Sequence, residues 1–252
     1  MKKIGAIILA AGKGTRMKSK KHNKVTLPLG DKPMIKHSVD LLKDLGIHPV
    51  VIVVGFAKNS VKALFNGDVI FAEQTKRLGT AHALLCGLRK LPEDVEDIVV
   101  LNGDDSAFYT KDIIESLLNE HFSQNNSVTL LTLEVSNPKG LGRIVRNSQR
   151  KVVSIVEEKD ATPKEREIKE INPACYIFNI NFLRKHLREV KKSPITGEYY
   201  IVTLVEVAIK NNENLSTVNA GLIPWRGINT SEELKEAENL FLGLSKKEST
   251  SA

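Results

Sequence analysis

Between Ile8 and Met17 the chain reads ILAAGKGTRM: an apolar, strand-like run gives way to glycine, lysine, threonine and arginine packed between Gly12 and Arg16. Glycines let backbone N–H groups point at an anion, and Lys13, Arg16 and, further on, Lys24 can neutralise it. A tight glycine turn with solvent-facing cations is the plainer use of the same residues. Two phosphate-loop patterns are excluded. With Gly12-Lys13 as the G-K of G-x-x-x-x-G-K-[ST], the first glycine falls on Ile7 and the hydroxyl on Gly14. The dinucleotide form G-x-G-x-x-G fits at Gly12 and Gly14 but places its third glycine on Met17.

Two further stretches carry chemistry. In VVLNGDD, Asp104 stands just past an apolar run, at the carboxyl edge where open α/β sheets take ligands. A carboxylate there suits Mg²⁺, which prefers one or two carboxylates plus phosphate oxygens; an aspartate in a turn made by Gly103 is the alternative. In EQTKRLGTAHA, Gly79-Thr80 open a helix whose N-terminal amides favour anions, and the Gln74 amide can both donate and accept at a nucleobase edge. His82 and Cys86 stand four apart on that helix, but no third ligand accompanies them, so they read as packing residues.

These residues need a frame. Ile4–Leu9, Val50–Val54 and Ile98–Leu101 are continuous apolar runs, expected for strands buried on both faces of a parallel sheet. Met34–Leu45, with Pro33 before it and Gly46 after it, and Thr80–Leu91, with Thr80 as N-cap, are expected helices. The alternation predicts an α/β fold, a Rossmann-like, doubly wound, mostly parallel sheet with right-handed crossovers. Further on, Val128–Val135, Val152–Val156 and Cys175–Asn179 read as strands and Glu198–Lys210 has helical spacing. Thr230-Ser231-Glu232-Glu233 resembles a capping box. The expected organisation is one domain over 1–230, a helix over 231–246 packed on it, and a disordered tail over 247–252.

The length, 252 residues, supports a core without disulfides, and the two cysteines, in apolar settings, fit buried thiols. The N-terminal apolar run is too short for a signal peptide and leads into the glycine loop, and no run reaches the roughly 20 residues that span a bilayer. A cytoplasmic protein without membrane contact is expected. The net charge of +7 comes mostly from lysine, and aromatics, at 5%, do not interleave with KSKKHNK. That argues against nucleic acid and for a small polyanionic substrate.

LAAGKGTRM, Gln74 with LGTAHA, NGD, GLGRIVR, IVEEKDAT, GEYY and GIN occur in one order between Ile4 and Asn229. Together they resemble the sugar-1-phosphate nucleotidyltransferases, and within them the uridylyltransferase (pyrophosphorylase) domain of bacterial UDP-N-acetylglucosamine synthesis. The resemblance implies the nucleotide-diphospho-sugar transferase fold and UTP and a sugar-1-phosphate, N-acetylglucosamine-1-phosphate, as substrates. It implies that Leu9, Ala10, Ala11, Gly12, Gly14 and Thr15 pass along the nucleotide, with Arg16 and Lys24 meeting the triphosphate. Gln74, Gly79 and Thr80 would read base and ribose, and Asp104 and Asn229 would hold Mg²⁺. Gly142, Glu157, Asn172, Glu198 and Tyr199 would form the sugar side. Catalysis would rest on Arg16, Lys24 and Asp104, with no covalent intermediate and hence no Ser/His or Cys/His pair. The chain departs from the family at Asn23-Lys24-Val25, where Pro-Lys-Val is usual, and at Asn172-Pro173-Ala174, where Asn-Thr-Gly is usual. Other pairs, such as thymidylyl transfer to glucose-1-phosphate, and a catalytically silent sugar-nucleotide-binding subunit remain alternative readings. Homo-oligomerisation is compatible with all of them.

Overall fold

A computed structural model describes residues 3–14, 21–221 and 223–249, with 244–249 described by backbone alone. Thr15 and Arg16 lie outside the described residues. In chain order the elements begin with β1 (Ile4–Ala10), a 3₁₀ turn (Lys24–Thr26), the short hairpin β2 (Pro28–Leu29) and β3 (Lys32–Pro33), and α1 (Met34–Asp44). Then come β4 (Val50–Val54), α2 (Lys58–Lys62), β5 (Ile70–Glu73), α3 (Thr80–Leu88), β6 (Asp97–Asn102) and α4 (Lys111–Ser123). The second half adds β7 (Val128–Glu134), β8 (Gly142–Arg146), β9 (Val152–Val156), α5 (Pro163–Arg166), β10 (Glu170–Asn172) and β11 (Cys175–Asn179). It ends with α6 (Ile180–His186), α7 (Thr203–Lys210), β12 (Leu215–Asn219) and α8 (Ser231–Ser249).

The main sheet runs β5-β4-β1-β6-β11-β7-β10-β8-β9, with β12 beside β7. β5, β4, β1 and β6 are parallel, as the continuous apolar runs predict. Alternate residues of β1 enter opposite cores: Ala6 and Ile8 share one with Ile35 and Leu42 of α1, while Ile7 shares the other with Leu84 of α3. Both faces are therefore covered, and the sheet is doubly wound. Beyond β6 the sheet is mixed: β11, β10 and β9 run against their neighbours. β10 and β11 form nearly one strand along β7, offset at Pro173-Ala174, where Ala174 takes φ +57°. That offset passes the chain from β8 to β6.

Three local expectations are corrected. Only Thr203–Lys210 of the 198–210 stretch is helical, because the Tyr199 N–H donates to Leu78 O (2.8 Å), Tyr199 O accepts from Ala81 N (2.9 Å), and Ile201 N donates to Thr80 Oγ1 (2.8 Å). The Thr80 hydroxyl thus holds that segment instead of capping its own helix, and Gly79 takes the cap position. α8 continues to Ser249 instead of ending at 246, so 247–249 are helical; no glycine or proline follows Gly243 to stop it. Residues 250–252 lie outside the described residues. The cap itself is as expected: Glu233 N donates to Thr230 Oγ1 (3.1 Å), and Glu233 Oε2 accepts from the Asn229 and Thr230 amides. Among the described residues no helix is long and apolar enough to cross a membrane.

Candidate active site

The carboxyl ends of β1, β5 and β6 open onto a cleft of about 650 Å³. Its walls bring together Leu9, Ala10, Ala11, Gly12 and Gly14 from the glycine loop and Gln74, Gly79 and Thr80 from the entrance to α3. Lys24, Asp104, Glu198 and Asn229, also drawn from the sequence, line it too, whereas Gly142, Glu157, Asn172 and Tyr199 do not. Lys13, Arg77, Asn102 and Asn23 line it as well. Lys13 stands in the glycine loop, where the sequence marks it as a cation. Arg77, Asn102 and Asn23 carry no independent sequence signal.

Lys24 organises the floor. Its ammonium pairs with Asp104 Oδ2 and donates to Ile228 O (2.8 Å) and Asn229 Oδ1 (3.1 Å), although Asn229 lies 205 positions away in the chain. Oxygen atoms from two distant segments therefore converge on one cation. An oxygen-only set of this kind suits a hard divalent ion such as Mg²⁺. Among the described residues no group of three or more His, Cys, Asp or Glu gathers, so a bound Mg²⁺ would draw its remaining ligands from phosphate and water. Behind Asp104 lies Asp105, buried; burial first, then the Asp104 charge, holds its carboxyl well above the usual range, against the pull of Lys24 and Asn102.

Gln74 is oriented by its neighbours. Its Nε2 donates to Gly79 O (2.9 Å) and faces His82 Nδ1 (3.0 Å). Only the amide nitrogen can give a proton to a carbonyl, so the carbonyl end of Gln74 is left for a ligand, and His82 accepts through Nδ1. Gly79 is required twice over. It has φ +102°, and a Cβ there would stand 2.4 Å from Tyr199 O. The Tyr199 contribution is a backbone one; its ring lies under the Lys192 ammonium at 5.4 Å.

The residues expected from the sequence on the sugar side form an adjoining group. A methyl group on Gly142 would stand 3.5 Å from Glu157 Oε1 and 3.7 Å from Asn172 Cβ, so these three converge. Arg143, almost wholly buried, anchors the preceding loop through Leu141 O and through Glu158 Oε2 (2.6 Å), which also accepts from the Gly140 amide. The Asn172 amide donates to the Tyr176 hydroxyl, and Asn172 Oδ1 accepts from Ala174 N (3.1 Å), which steadies the left-handed turn. Burial pushes the Glu157 carboxyl up to about 7; Asp160 and Glu198 add to the shift and Arg143 opposes it. Glu198 lies on the cleft wall, so the two groups adjoin there.

The chain matches the family model described as nucleotidyl transferase over residues 5–242. It is 40% identical over 242 residues to the bifunctional protein GlmU of Geobacillus sp. (strain WCH70), covering 96% of this chain and 52% of that protein. It is 37% identical over 241 residues to the bifunctional protein GlmU of Thermoanaerobacter pseudethanolicus, with the same coverage of 96% and 52%. The chain thus spans about half the length of these curated relatives. A crystal structure of a putative glucose-1-phosphate thymidylyltransferase from Bacillus anthracis, in complex with a sucrose, superposes with a TM-score of 0.79 at 27% identity, covering 94% of this chain and 95% of that one.

Proposed function

The chain belongs to the nucleotidyl transferase family, and from that premise we propose that it transfers a uridylyl group from UTP to N-acetylglucosamine-1-phosphate. An oxygen of the sugar-1-phosphate attacks the α-phosphorus in line, and the bond to the β-phosphate oxygen breaks. Its electron pair leaves with pyrophosphate, and UDP-sugar is the product. No side chain need be acylated or phosphorylated, so positioning and charge neutralisation carry the reaction.

The observation that carries this reading is the convergence of Asp104 and Asn229 on one cation, in a cleft walled by the glycine loop. Asp104 and Asn229 would hold Mg²⁺, which when bound supplies charge neutralisation on the phosphates. Lys24, Lys13 and Arg77 meet the remaining phosphate charge, and Arg16 is proposed to join them. Gln74, with its carbonyl end free for a ligand, accepts the N3–H that a uracil presents. Glu157, Asn172 and Gly142 take the sugar. The choice of UTP and N-acetylglucosamine-1-phosphate draws its support from the similarity to the GlmU proteins.

Similarity to the thymidylyltransferase structure favours a second reading, dTTP with glucose-1-phosphate. Thymine presents the same hydrogen-bonding edge as uracil, so Gln74 does not separate the two. The deciding experiment measures Mg²⁺-dependent pyrophosphate release across a matrix of nucleoside triphosphates and sugar-1-phosphates. UTP with N-acetylglucosamine-1-phosphate should give the highest kcat/KM. If another pair ranks above it, the substrate assignment falls and the reaction class stands. Tight UDP-sugar binding with no turnover in either direction would point to the catalytically silent alternative.

A further inference from the structure

Asn23 is almost wholly buried, and every polar group it carries is engaged. Its Nδ2 donates to Ala10 O (2.9 Å) and Phe56 O (2.9 Å), and more distantly to Gly12 O (3.3 Å). Its Oδ1 accepts from Val25 N (3.2 Å), and its own N–H donates to Ser60 Oγ (3.0 Å). One side chain therefore ties the end of β1, the glycine loop and the loop after β4 to the turn that carries Lys24.

This arrangement has a direction. In a trans peptide the C=O of one residue and the N–H of the next point opposite ways. Capturing the Ala10 and Gly12 carbonyls on the Asn23 side turns the Ala11 and Lys13 amides away from it. Among the described residues neither amide has a hydrogen-bond partner, and a Cβ on Gly12 would meet only open space. A loop whose carbonyls are withdrawn and whose amides are left unpaired is shaped for an anion. Asn23 also caps the turn behind Lys24, whose Cβ and Cδ would lie 3.4 Å from a Cβ on Gly14, so the same residue fixes the cation against the loop.

We propose that Asn23 is a positioning residue for the triphosphate: it withdraws the carbonyls of the glycine loop so that the backbone amides of Ala11 and Lys13, together with Lys24, face the nucleotide's phosphates. The proposal rests on the reading of the cleft as a nucleoside triphosphate site and adds the device that prepares it.

The test compares the wild type with Asn23→Ala, which removes the clamp, and Asn23→Asp, which keeps the shape and the bond from Val25 N but turns an oxygen on the carbonyls. Steady-state kinetics would give KM for UTP and for sugar-1-phosphate and the inhibition constant of pyrophosphate, with thermal unfolding run on the same samples. The expected result is a rise of about tenfold or more in KM for UTP and in the pyrophosphate constant, with KM for sugar-1-phosphate within about twofold, and a larger effect for Asp than for Ala. Variants that lose only thermal stability, or in which both KM values move together, would overturn the proposal. If Asn23→Ala does not fold, the same comparison is read from Asn23→Asp, and a variant that folds with wild-type KM for UTP overturns it equally. A wild type that releases pyrophosphate from no nucleotide would instead remove the underlying reading.

Discussion

Replacing the Asp104 carboxylate by an amide keeps its volume and removes its charge, so Asp104→Asn should lower kcat by two or more orders of magnitude while the fold persists. Circular dichroism and turnover measured on the same preparation check this, and near-normal turnover would contradict the proposed metal-holding role. Glu157 gives a pH-dependent prediction. Its folded pKa of about 7 lies above the ordinary value of 4.5, so the folded state holds the proton more tightly than the unfolded chain. The stability it allows is therefore fully present below about pH 4.5, falls as pH climbs through that window, and levels off above about 7. The loss is at most on the order of 3 kcal/mol. Glu157→Gln should remove this slope, so unfolding midpoints of variant and wild type should diverge between those limits in favour of the variant. Parallel pH curves would show that the carboxyl is not enclosed. In the wild type alone, KM for sugar-1-phosphate should also change near pH 7.

At the scale of elements, the meeting of the 198–201 segment with α3 decides how Gln74 and Thr80 are presented. Gly79→Ala meets both a left-handed backbone and a Cβ 2.4 Å from Tyr199 O, so the two segments must part. The backbone term alone is about 1–2 kcal/mol, and the thermal midpoint should fall together with affinity for UTP; an unchanged midpoint would mean the contact is not tight. The same contact explains what could be read in advance and what could not. β1, β4 and β6 were legible because strands covered on both faces must be apolar throughout, and α1 because Pro33 and Gly46 punctuate it. β8, β10 and β12 were not: β10 has only three residues, and β8 and β12, as long as β4, lack its burial along the whole strand. The helical spacing at 198–202 misled, because local periodicity was overridden by hydrogen bonds to α3. Among site residues, Asp104 showed itself by its place after a strand, and Gln74 by an amide that can both donate and accept, beside the helix opening at Gly79-Thr80. Asn229 could be placed only through the family resemblance, and Asn23 stood out only as a departure from the family's Pro-Lys-Val, with no role attached, since its worth lies in carbonyls that a sequence does not display.

For the whole molecule, α8 links the periphery to the site. Its cap fixes the Asn229 amide, and further along Phe241 packs edge-on against His37 (ring centroids 4.8 Å apart) and Phe108 (6.3 Å). Phe241 is only partly buried, so Phe241→Ala should cost about 1–3 kcal/mol, less than a core phenylalanine. Turnover at low temperature should survive while the unfolding midpoint drops; loss of both at once would mean that α8 cannot loosen without carrying Asn229 away. The seating of Lys24 between Asp104 and Asn229 bears on the protein before it meets any ligand. The chain supplies its own counter-ion, so the Asp104 carboxylate on the cleft floor is already paired within the protein. A chelator should therefore leave the melting curve where it was, and magnesium offered without nucleotide should raise it little, because an arriving dication has first to evict a resident amine.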